Sequence, residues 1–131
     1  MSNRFTIGVP DLLIAIPPFV PVLAEVKDLG EVVDEFDRKL EITEKQAYEM
    51  KRFSEPYENW QHVYTPERHT AIILVGVKHK KKHRLVVLPR TADRLSCDYE
   101  EQGGWVDRAV GGVYNVVKLL EFAGVMKCRA M

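Results

Sequence analysis

Long apolar runs mark the first part of the chain. Phe5–Ile16 and Val20–Lys27 are largely apolar at both odd and even positions, which is typical of strands covered on both faces of a sheet. Pro17–Phe19 separates the two runs, and proline favours a turn there. We therefore predict an antiparallel hairpin with a three-residue loop.

A helical period follows this hairpin. The apolar positions of Leu29–Leu40 have helical spacing, so a helix is predicted there. A second helix is predicted at Glu44–Ser54, because Thr43 and Gln46 have the spacing of a capping box. We expect Pro56 to end this helix.

Two further apolar runs, Thr70–Val77 and Arg84–Pro89, are separated by the basic sequence KHKKKH and predict a second hairpin. The aromatic segment before it is interpreted as irregular, with a short strand at Gln61–Tyr64. After the second hairpin, Thr91–Gly104 is interpreted as a loop. Trp105–Phe122 is predicted to be the last helix, although Gly111-Gly112 weakens the pattern.

The chain has 131 residues, of which 46% are hydrophobic and 29% charged, as is usual in a globular protein. This length suggests one domain, 1–131, with the core motifs in 1–90 and a helix-containing C-terminal extension in 91–131. Helices and strands are mixed, so the predicted fold class is α/β or α+β. Nineteen basic residues balance nineteen acidic ones, so attraction to a nucleic acid must come from a local patch.

No membrane span is expected, because the most apolar run, Leu12–Ala24, is shorter than the roughly 20 residues of a spanning helix and contains three prolines. No basic segment precedes an apolar one, so no signal peptide is expected. Cys97 and Cys128 match no zinc or redox spacing, which favours reduced thiols. A cytoplasmic location is the resulting expectation.

Two carboxylates fall opposite each other in the first predicted hairpin. If Ile16 pairs with Val20, counting outward places Asp11 opposite Glu25, with Cβ atoms about 4.5–5.5 Å apart. A slip of one residue would separate them. Three ways of relieving their repulsion are open: one carboxyl is protonated, Lys27 neutralises the pair, or a divalent cation lies between them.

A cation between the carboxylates would have chemical consequences. Mg²⁺ prefers carboxylate and carbonyl oxygens, which Asp11, Glu25 and the Val26 carbonyl can offer. Lys27 shares a strand face with Glu25 and can hold a bound water. A cation lowers the pKa of such a water and stabilises charge on a phosphoryl group, so these are the parts needed to hydrolyse a phosphodiester.

Pro10-Asp11, followed by Glu25–Lys27, resembles the PD-(D/E)xK nuclease motif. The sequence SNRFTIGVPDLLI is similar to the opening of virus-type replication-repair nuclease (VRR-NUC) domains, and Gln46 matches a glutamine on the helix after their ExK strand. The apolar sequence AIILVGV also fits a later strand. The resemblance covers Ser2–Leu88, about two thirds of the chain.

The resemblance implies a restriction-endonuclease-like fold, a mixed central sheet flanked by helices, related to that of Holliday-junction resolvases. It implies a DNA endonuclease that depends on Mg²⁺ or Mn²⁺ and works in a bacterium or a phage-infected host cell, with branched DNA as one candidate substrate. Asp11, Glu25 and the Val26 carbonyl would bind the metal, Lys27 would position water, and Gln46 would orient Lys27 or the phosphate. Because Gln46 also fits the capping box, we expect one conformer not to serve both roles.

The chain departs from this family in three places. Only ten residues precede Asp11, too few for the leading helix that brings a further acidic ligand in many members. The insertion Asp28–Ile42 is longer than usual, and the C-terminal third has no counterpart. One metal ion is therefore expected, with Glu31 or a residue of the last helix as a substitute ligand. The alternative is a catalytically inactive nuclease-fold module that binds nucleic acid or a protein.

The densest positive charge lies in Val77–Arg84. Lysines also favour exposed turns, but in a nuclease this turn would contact phosphates. The predicted nucleic-acid-binding residues are Lys78, Lys80, Lys81, Lys82, Arg84 and Arg4. A homodimer is also predicted, because junction-type nucleases cut two strands. The apolar stripe that suits either a core or a self-complementary interface consists of Val113, Val116, Val117 and Leu120.

Overall fold

The computed structural model of the protein describes residues 11–18, 21–64, 70–98 and 105–122. Its strands are β1 (Leu12–Ile14), β2 (Val22–Glu31), β3 (Asp37–Lys39), β4 (Ala71–His79), β5 (Lys82–Pro89), β6 (Arg94–Ser96) and β7 (Trp105–Asp107). The helices are α1 (Glu44–Tyr64) and α2 (Val116–Phe122). Helices and strands are mixed in the described part of the chain, which confirms the predicted α+β class.

Five strands form the central sheet, in the order β1-β2-β4-β5-β7. β2 and β4 are parallel, and the other neighbours in this sheet are antiparallel. β3 and β6 form a separate antiparallel pair. Strands from 94–107 therefore pair with strands from the first 90 residues in both sheets.

The two faces of the central sheet bury different apolar clusters. On one face, Ile73 of β4 belongs to a cluster with Met50 of α1. On the other face, Ile72 belongs to a cluster with Leu119 of α2. Because both faces of β4 are covered, its sequence is an unbroken apolar run rather than an alternating one.

The first predicted hairpin is present in the predicted register. Leu12 pairs with Ala24, as expected from counting outward from a three-residue loop. Residues 5–10 of the predicted first strand lie outside the described residues. β2 continues four residues past Lys27, with a register irregularity between Asp28 and Gly30, where Gly30 has a φ of +68°.

β4 and β5 form the second predicted hairpin. His79 pairs with Lys82, so Lys80 and Lys81 make a two-residue turn, with φ values of 51° and 64°. Positive φ at both central positions defines a type I′ turn, whose twist matches that of the flanking strands. The basic sequence is thus the tip of a tight hairpin.

The predicted helix at Leu29–Leu40 is wrong. β2 occupies its start and β3 lies near its end. Val32, Phe36 and Leu40 are nevertheless buried together, in the cluster that contains Met50. The helical spacing therefore indicated burial correctly for these three side chains but not for Val33, which belongs to the same predicted stripe and is 71% exposed. An irregular chain segment rather than a helix brings the three side chains to the core.

The predicted end of α1 is also wrong. The helix begins at Glu44, directly after the predicted capping residue Thr43, but it continues through Pro56 to Tyr64. Pro56 removes one backbone donor, and the loss of this single donor does not end the helix. The strand predicted at Gln61–Tyr64 is replaced by the last part of α1.

The C-terminal region contains a strand as well as a helix. Trp105–Asp107 is β7, and α2 covers only Val116–Phe122, so the predicted helix over the whole region is wrong. Gly111 and Gly112 have φ values of +93° and +82° between these elements. β6 lies in the segment predicted as a loop. In the described part of the chain, no helix is long and apolar enough to cross a membrane.

Candidate active site

The predicted opposition of Asp11 and Glu25 is present where β1 meets β2. The register of β1 and β2, extended by one residue, places Asp11 opposite Glu25. Asp11 Oδ2 accepts a hydrogen bond of 2.8 Å from the Val26 backbone amide, which holds this carboxylate against β2. Two acidic side chains therefore lie side by side on the sheet.

Gln46 connects Glu25 to Lys27. Its Nε2 donates to Glu25 Oε1 over 2.8 Å, and its Oε1 accepts a hydrogen bond from Lys27 Nζ over 3.2 Å. Lys27 Nζ also lies 3.7 Å from Glu25 Oε1. The three side chains thus form one connected polar cluster between β2 and α1.

Gln46 completes the capping box in the same conformer. Its Oε1 accepts a second hydrogen bond, of 3.0 Å, from the Thr43 backbone amide, and its own backbone amide donates to Thr43 Oγ1 over 3.1 Å. The expectation that one conformer would not serve both roles is therefore wrong. The amide oxygen has two lone pairs, which serve Thr43 and Lys27, and the amide nitrogen remains available for Glu25.

Glu25 is only 3% exposed. Burial raises the pKa of its carboxyl above the ordinary value, and the charge of Asp11 raises this pKa further, while Lys27 acts in the opposite direction. Its second oxygen, Oε2, is buried and has no hydrogen-bond partner among the described residues. A buried carboxylate oxygen without a partner is costly, so this atom is a natural place for a proton or a cation.

The donor set at this position fits a hard divalent cation. Mg²⁺ is often held by one or two carboxylates while it keeps several waters, and Asp11 and Glu25 supply two carboxylates. Within residues 11–18, 21–64, 70–98 and 105–122, no three His, Cys, Asp or Glu side chains gather as a metal-binding group. A cation at this position would therefore rest on the two carboxylates, with the Val26 carbonyl as the predicted additional ligand.

The two predicted sources of a substitute ligand lie elsewhere. Glu31 is six residues beyond Glu25 on β2, roughly 20 Å away at the usual rise of a strand. α2 packs on the opposite face of the sheet from α1. Neither Glu31 nor α2 therefore adds an acid to the pair.

The basic turn lies at the far end of the same sheet. Ile73 is the β4 neighbour of Glu25, and Lys80 lies seven residues further along, roughly 23 Å away at about 3.3 Å per residue. The side chains of Lys80, Lys81 and Lys82 are exposed. The turn and the carboxylate pair are thus on one sheet but not in contact.

Arg84 differs from these lysines. It is 9% exposed, its Nε donates to Asp107 Oδ1 over 2.9 Å, and its guanidinium carbon lies 5.6 Å from the centre of the Trp105 ring. Lys82 Nζ lies 3.8 Å from Asp107 Oδ2. Arg84 therefore ties β5 to β7, a role that sequence reasoning missed because Trp105 and Asp107 were assigned to a helix.

Two predicted phosphate-contacting residues remain, Lys78 and Arg4. Lys78 is half-buried and lines a cavity of about 400 Å³ together with the acidic Glu31 and the basic His83 and Arg108. Arg4 lies outside the described residues. The structure therefore adds a histidine and an arginine to the neighbourhood of Lys78, together with two acidic residues, since Asp28 lines the same cavity.

The predicted valine stripe is divided between core and surface. Leu120 is 1% exposed and Val116 packs against the same cluster, whereas Val113 and Val117 are 65% and 44% exposed. Core packing therefore accounts for half of the stripe. The homodimer stays a prediction.

Comparison with known proteins yields no match. No protein-family model fits the chain, and neither curated proteins nor solved structures give a significant match. Assignment of a function therefore rests on the motif residues of this chain and on the geometry described above.

Proposed function

We propose that the protein is a metal-dependent endonuclease that hydrolyses phosphodiester bonds in DNA. The observation that carries the proposal is the Gln46 amide, which binds Lys27 and Glu25 at once while Glu25 Oε2 stays buried without a partner. Buried charges are costly unless they are paired, so a cluster that leaves one carboxylate oxygen unsatisfied supports a functional site. The resemblance to VRR-NUC domains indicates which reaction.

Each side chain of the cluster has a role in this proposal. Asp11, Glu25 and the Val26 carbonyl hold the ion, Mg²⁺ or Mn²⁺. When bound, the ion supplies positive charge that stabilises the reacting phosphoryl group and acidifies water. The side chain of Lys27 is 21% exposed, so its Nζ can reach and orient the attacking water while Gln46 fixes its position.

The separation of the basic turn from the carboxylates supports an extended DNA path. The distance of roughly 23 Å along β4 corresponds to about seven base steps of 3.4 Å. Exposed lysines bind phosphates without regard to base sequence. Duplex DNA, with branched or junction DNA as one form, is therefore the proposed substrate.

A cleavage assay tests the proposal. Supercoiled, linear and branched DNA are incubated with the protein in Mg²⁺, in Mn²⁺ or in a chelator. We expect cleavage with either metal, none with the chelator and none by Asp11→Asn. If the wild type binds DNA and leaves every substrate intact in both metals, the alternative holds, namely a non-catalytic module that binds nucleic acid or a protein.

A homodimer belongs to this proposal, because cutting both strands of a junction requires two sites. The exposed Val113 and Val117 are candidates for a self-complementary contact. Sedimentation equilibrium measures this directly. A monomer mass that does not change with concentration would remove the dimer from the proposal.

A further inference from the structure

We propose that Thr43 is a positioning residue of the candidate active site, which acts on Lys27 through the side-chain amide of Gln46. The catalytic consequence of this inference rests on the proposed function. The claim that Thr43 fixes the position of the Lys27 amine does not depend on the proposed function. Thr43 is exposed and precedes α1. Its backbone amide and its Oγ1 both hydrogen-bond to Gln46, while its carbonyl accepts the backbone amide of Ala47 in the first turn of the helix.

The polarity of the neighbours selects one orientation of the Gln46 amide. The Thr43 backbone N–H and the Lys27 ammonium are both donors, and both lie against Oε1. The Glu25 carboxylate is an acceptor and lies against Nε2. Rotating the amide by 180° would place the NH₂ against two donors and the oxygen against a carboxylate, so all three hydrogen bonds would break together.

The side chain of Thr43 adds the anchor that places this amide. Its Oγ1 accepts the backbone amide of Gln46, which fixes the first turn of α1 relative to the capping residue. The Gln46 Cα is therefore held while its side chain spans to β2. Without Oγ1, the first turn is expected to fray, and Gln46 then no longer holds Lys27.

This arrangement assigns different roles to the two oxygens of Glu25. Oε1 is engaged by Gln46 Nε2 and lies 3.7 Å from Lys27 Nζ. Oε2 is the buried oxygen without a partner. If Gln46 releases Lys27, the amine loses its hydrogen bond to the amide oxygen and can move away from Glu25 towards solvent. Thr43 thus acts on the site through Gln46 rather than by touching the substrate.

Thr43→Ala removes the anchor, and two variants control for its other effects. Thr43→Ser keeps a hydroxyl acceptor and should behave like the wild type. Asn115→Ala removes a comparable cap from α2, because Asn115 Oδ1 accepts the backbone amide of Lys118 over 3.2 Å. α2 packs on the face of the sheet opposite α1, so loss of its cap changes stability without touching the Gln46 cluster.

The first measurement is the rate at which Lys27 is acylated by a soluble anhydride, followed by mass spectrometry in the presence of a chelator. The second is a kcat and KM determination for DNA cleavage. For Thr43→Ala we expect Lys27 labelling about five- to tenfold faster and kcat lower by a similar factor, with KM unchanged, as for the loss of one helix cap. For Thr43→Ser and Asn115→Ala we expect both values to stay within about twofold of the wild type.

The outcomes separate the two proposals. Equal acceleration of Lys27 labelling in Thr43→Ala and Asn115→Ala would show a general loss of stability and overturn the role of Thr43. A wild-type labelling rate in Thr43→Ala would overturn it as well. If the wild type cleaves no DNA, the proposed function fails, and the labelling rates still decide whether Thr43 positions Lys27.

Discussion

The carboxylate cluster and the basic turn carry charge on the same sheet, but they are built in opposite ways. In the cluster, Glu25 and Lys27 are largely buried and bonded through Gln46. At the turn, Lys80 and Lys81 are exposed. Exposed lysines cost little, whereas buried charges are costly unless they are compensated. Burial and mutual bonding, rather than charge density, therefore identify the region where chemistry is expected.

Arg84 shows that the two kinds of charge meet within one hairpin. It belongs to the basic sequence, yet it is buried against Trp105 and bonded to Asp107. A buried cation with a carboxylate and an aromatic partner is a structural element. A basic sequence run thus contained both solvent-facing charges and a link between strands.

The largest effect is expected from Lys27→Ala. DNA cleavage should fall about a hundredfold or more, because water positioning matters mainly in the transition state, while DNA affinity stays the same. The measurements are single-turnover cleavage and equilibrium DNA binding. Lys45→Ala, which removes an exposed lysine next to Gln46, is the matched control and should cleave normally. Wild-type cleavage by Lys27→Ala would mean that Lys27 is only a counter-ion of Glu25.

The second largest effect is expected on stability, when the protein binds a metal ion. Mg²⁺ at about 100 times its Kd should raise the free energy of unfolding by about 2.7 kcal/mol, because it binds only the native state. Asp11→Asn should abolish this gain, and Glu41→Gln, which neutralises an exposed acid, should retain it. Thermal unfolding with and without Mg²⁺ measures the gain. An equal gain in wild type and Asp11→Asn would exclude this site.

In the absence of metal, the stability of the protein should depend on pH through the protonation of Glu25. Burial and Asp11 raise the pKa of Glu25, so the folded state takes up a proton more readily than the unfolded state. Proton uptake by Glu25 therefore stabilises the folded state. This stabilisation is complete below the ordinary pKa of Glu25 and is lost as the pH rises through the raised pKa. The loss is about 1.4 kcal/mol for each unit by which the folded pKa exceeds the ordinary one.

Asp11→Asn removes the second cause of that raised pKa. Its free energy of unfolding in chelator should therefore fall less steeply than that of the wild type as the pH rises from 4.5 towards neutral. Urea unfolding at a series of pH values measures the slope. Identical slopes in the two proteins would show that Asp11 does not act on Glu25.

The smallest effect on stability is expected at the turn. Lys80→Asn with Lys81→Gly supplies residues that favour a type I′ turn, so stability should rise by about 0.5–1 kcal/mol while two positive charges are removed. The log–log salt slope of DNA binding should decrease by about 0.9 for each phosphate that the variant no longer neutralises. Stabilisation by Mg²⁺ should not change.

The control for charge alone is a double variant of exposed lysines elsewhere, Lys39→Ala with Lys45→Ala. It should leave the salt slope unchanged. An unchanged slope in the turn variant would mean that the turn is only solvated. Arg4, Arg90 and Arg94 would then be the next residues to test.

The sequence predicted the candidate site better than it predicted the element boundaries. The pairing of Asp11 with Glu25 followed from a short loop and the two-residue period of strands, which leave little freedom. The position of Gln46 followed from the capping box. Its double role was not predicted, because the distance between β2 and α1 is set by packing that no local pattern encodes.

The errors have physical causes as well. One core cluster contains the side chains of Val32, Phe36 and Leu40. A helix and an irregular segment can both turn three such side chains towards the same side, so their spacing does not distinguish the two. Trp105–Asp107 pairs with Arg84–Val86 of β5, and this pairing between residues distant in the sequence makes a strand of a segment predicted to be helical. Tertiary contacts override local preference in such segments.

The parallel pairing of β2 with β4 has a consequence for synthesis on the ribosome. Among the described residues, β1 covers only Val22–Ala24 of β2, and β4 begins forty residues after β2 ends. At about 5–20 residues per second, β2 emerges roughly two to eight seconds before its main partner. During that interval it is an apolar edge that can pair with another nascent chain.

Glu25 and Lys27 interrupt this edge with opposite charges, as gatekeeper residues do in aggregation-prone segments. The side chains proposed for catalysis would therefore also keep the nascent strand soluble. Apolar substitutions at these two positions should lower the soluble yield even where the finished fold accepts them, and a chain that stops before Ala71 should aggregate.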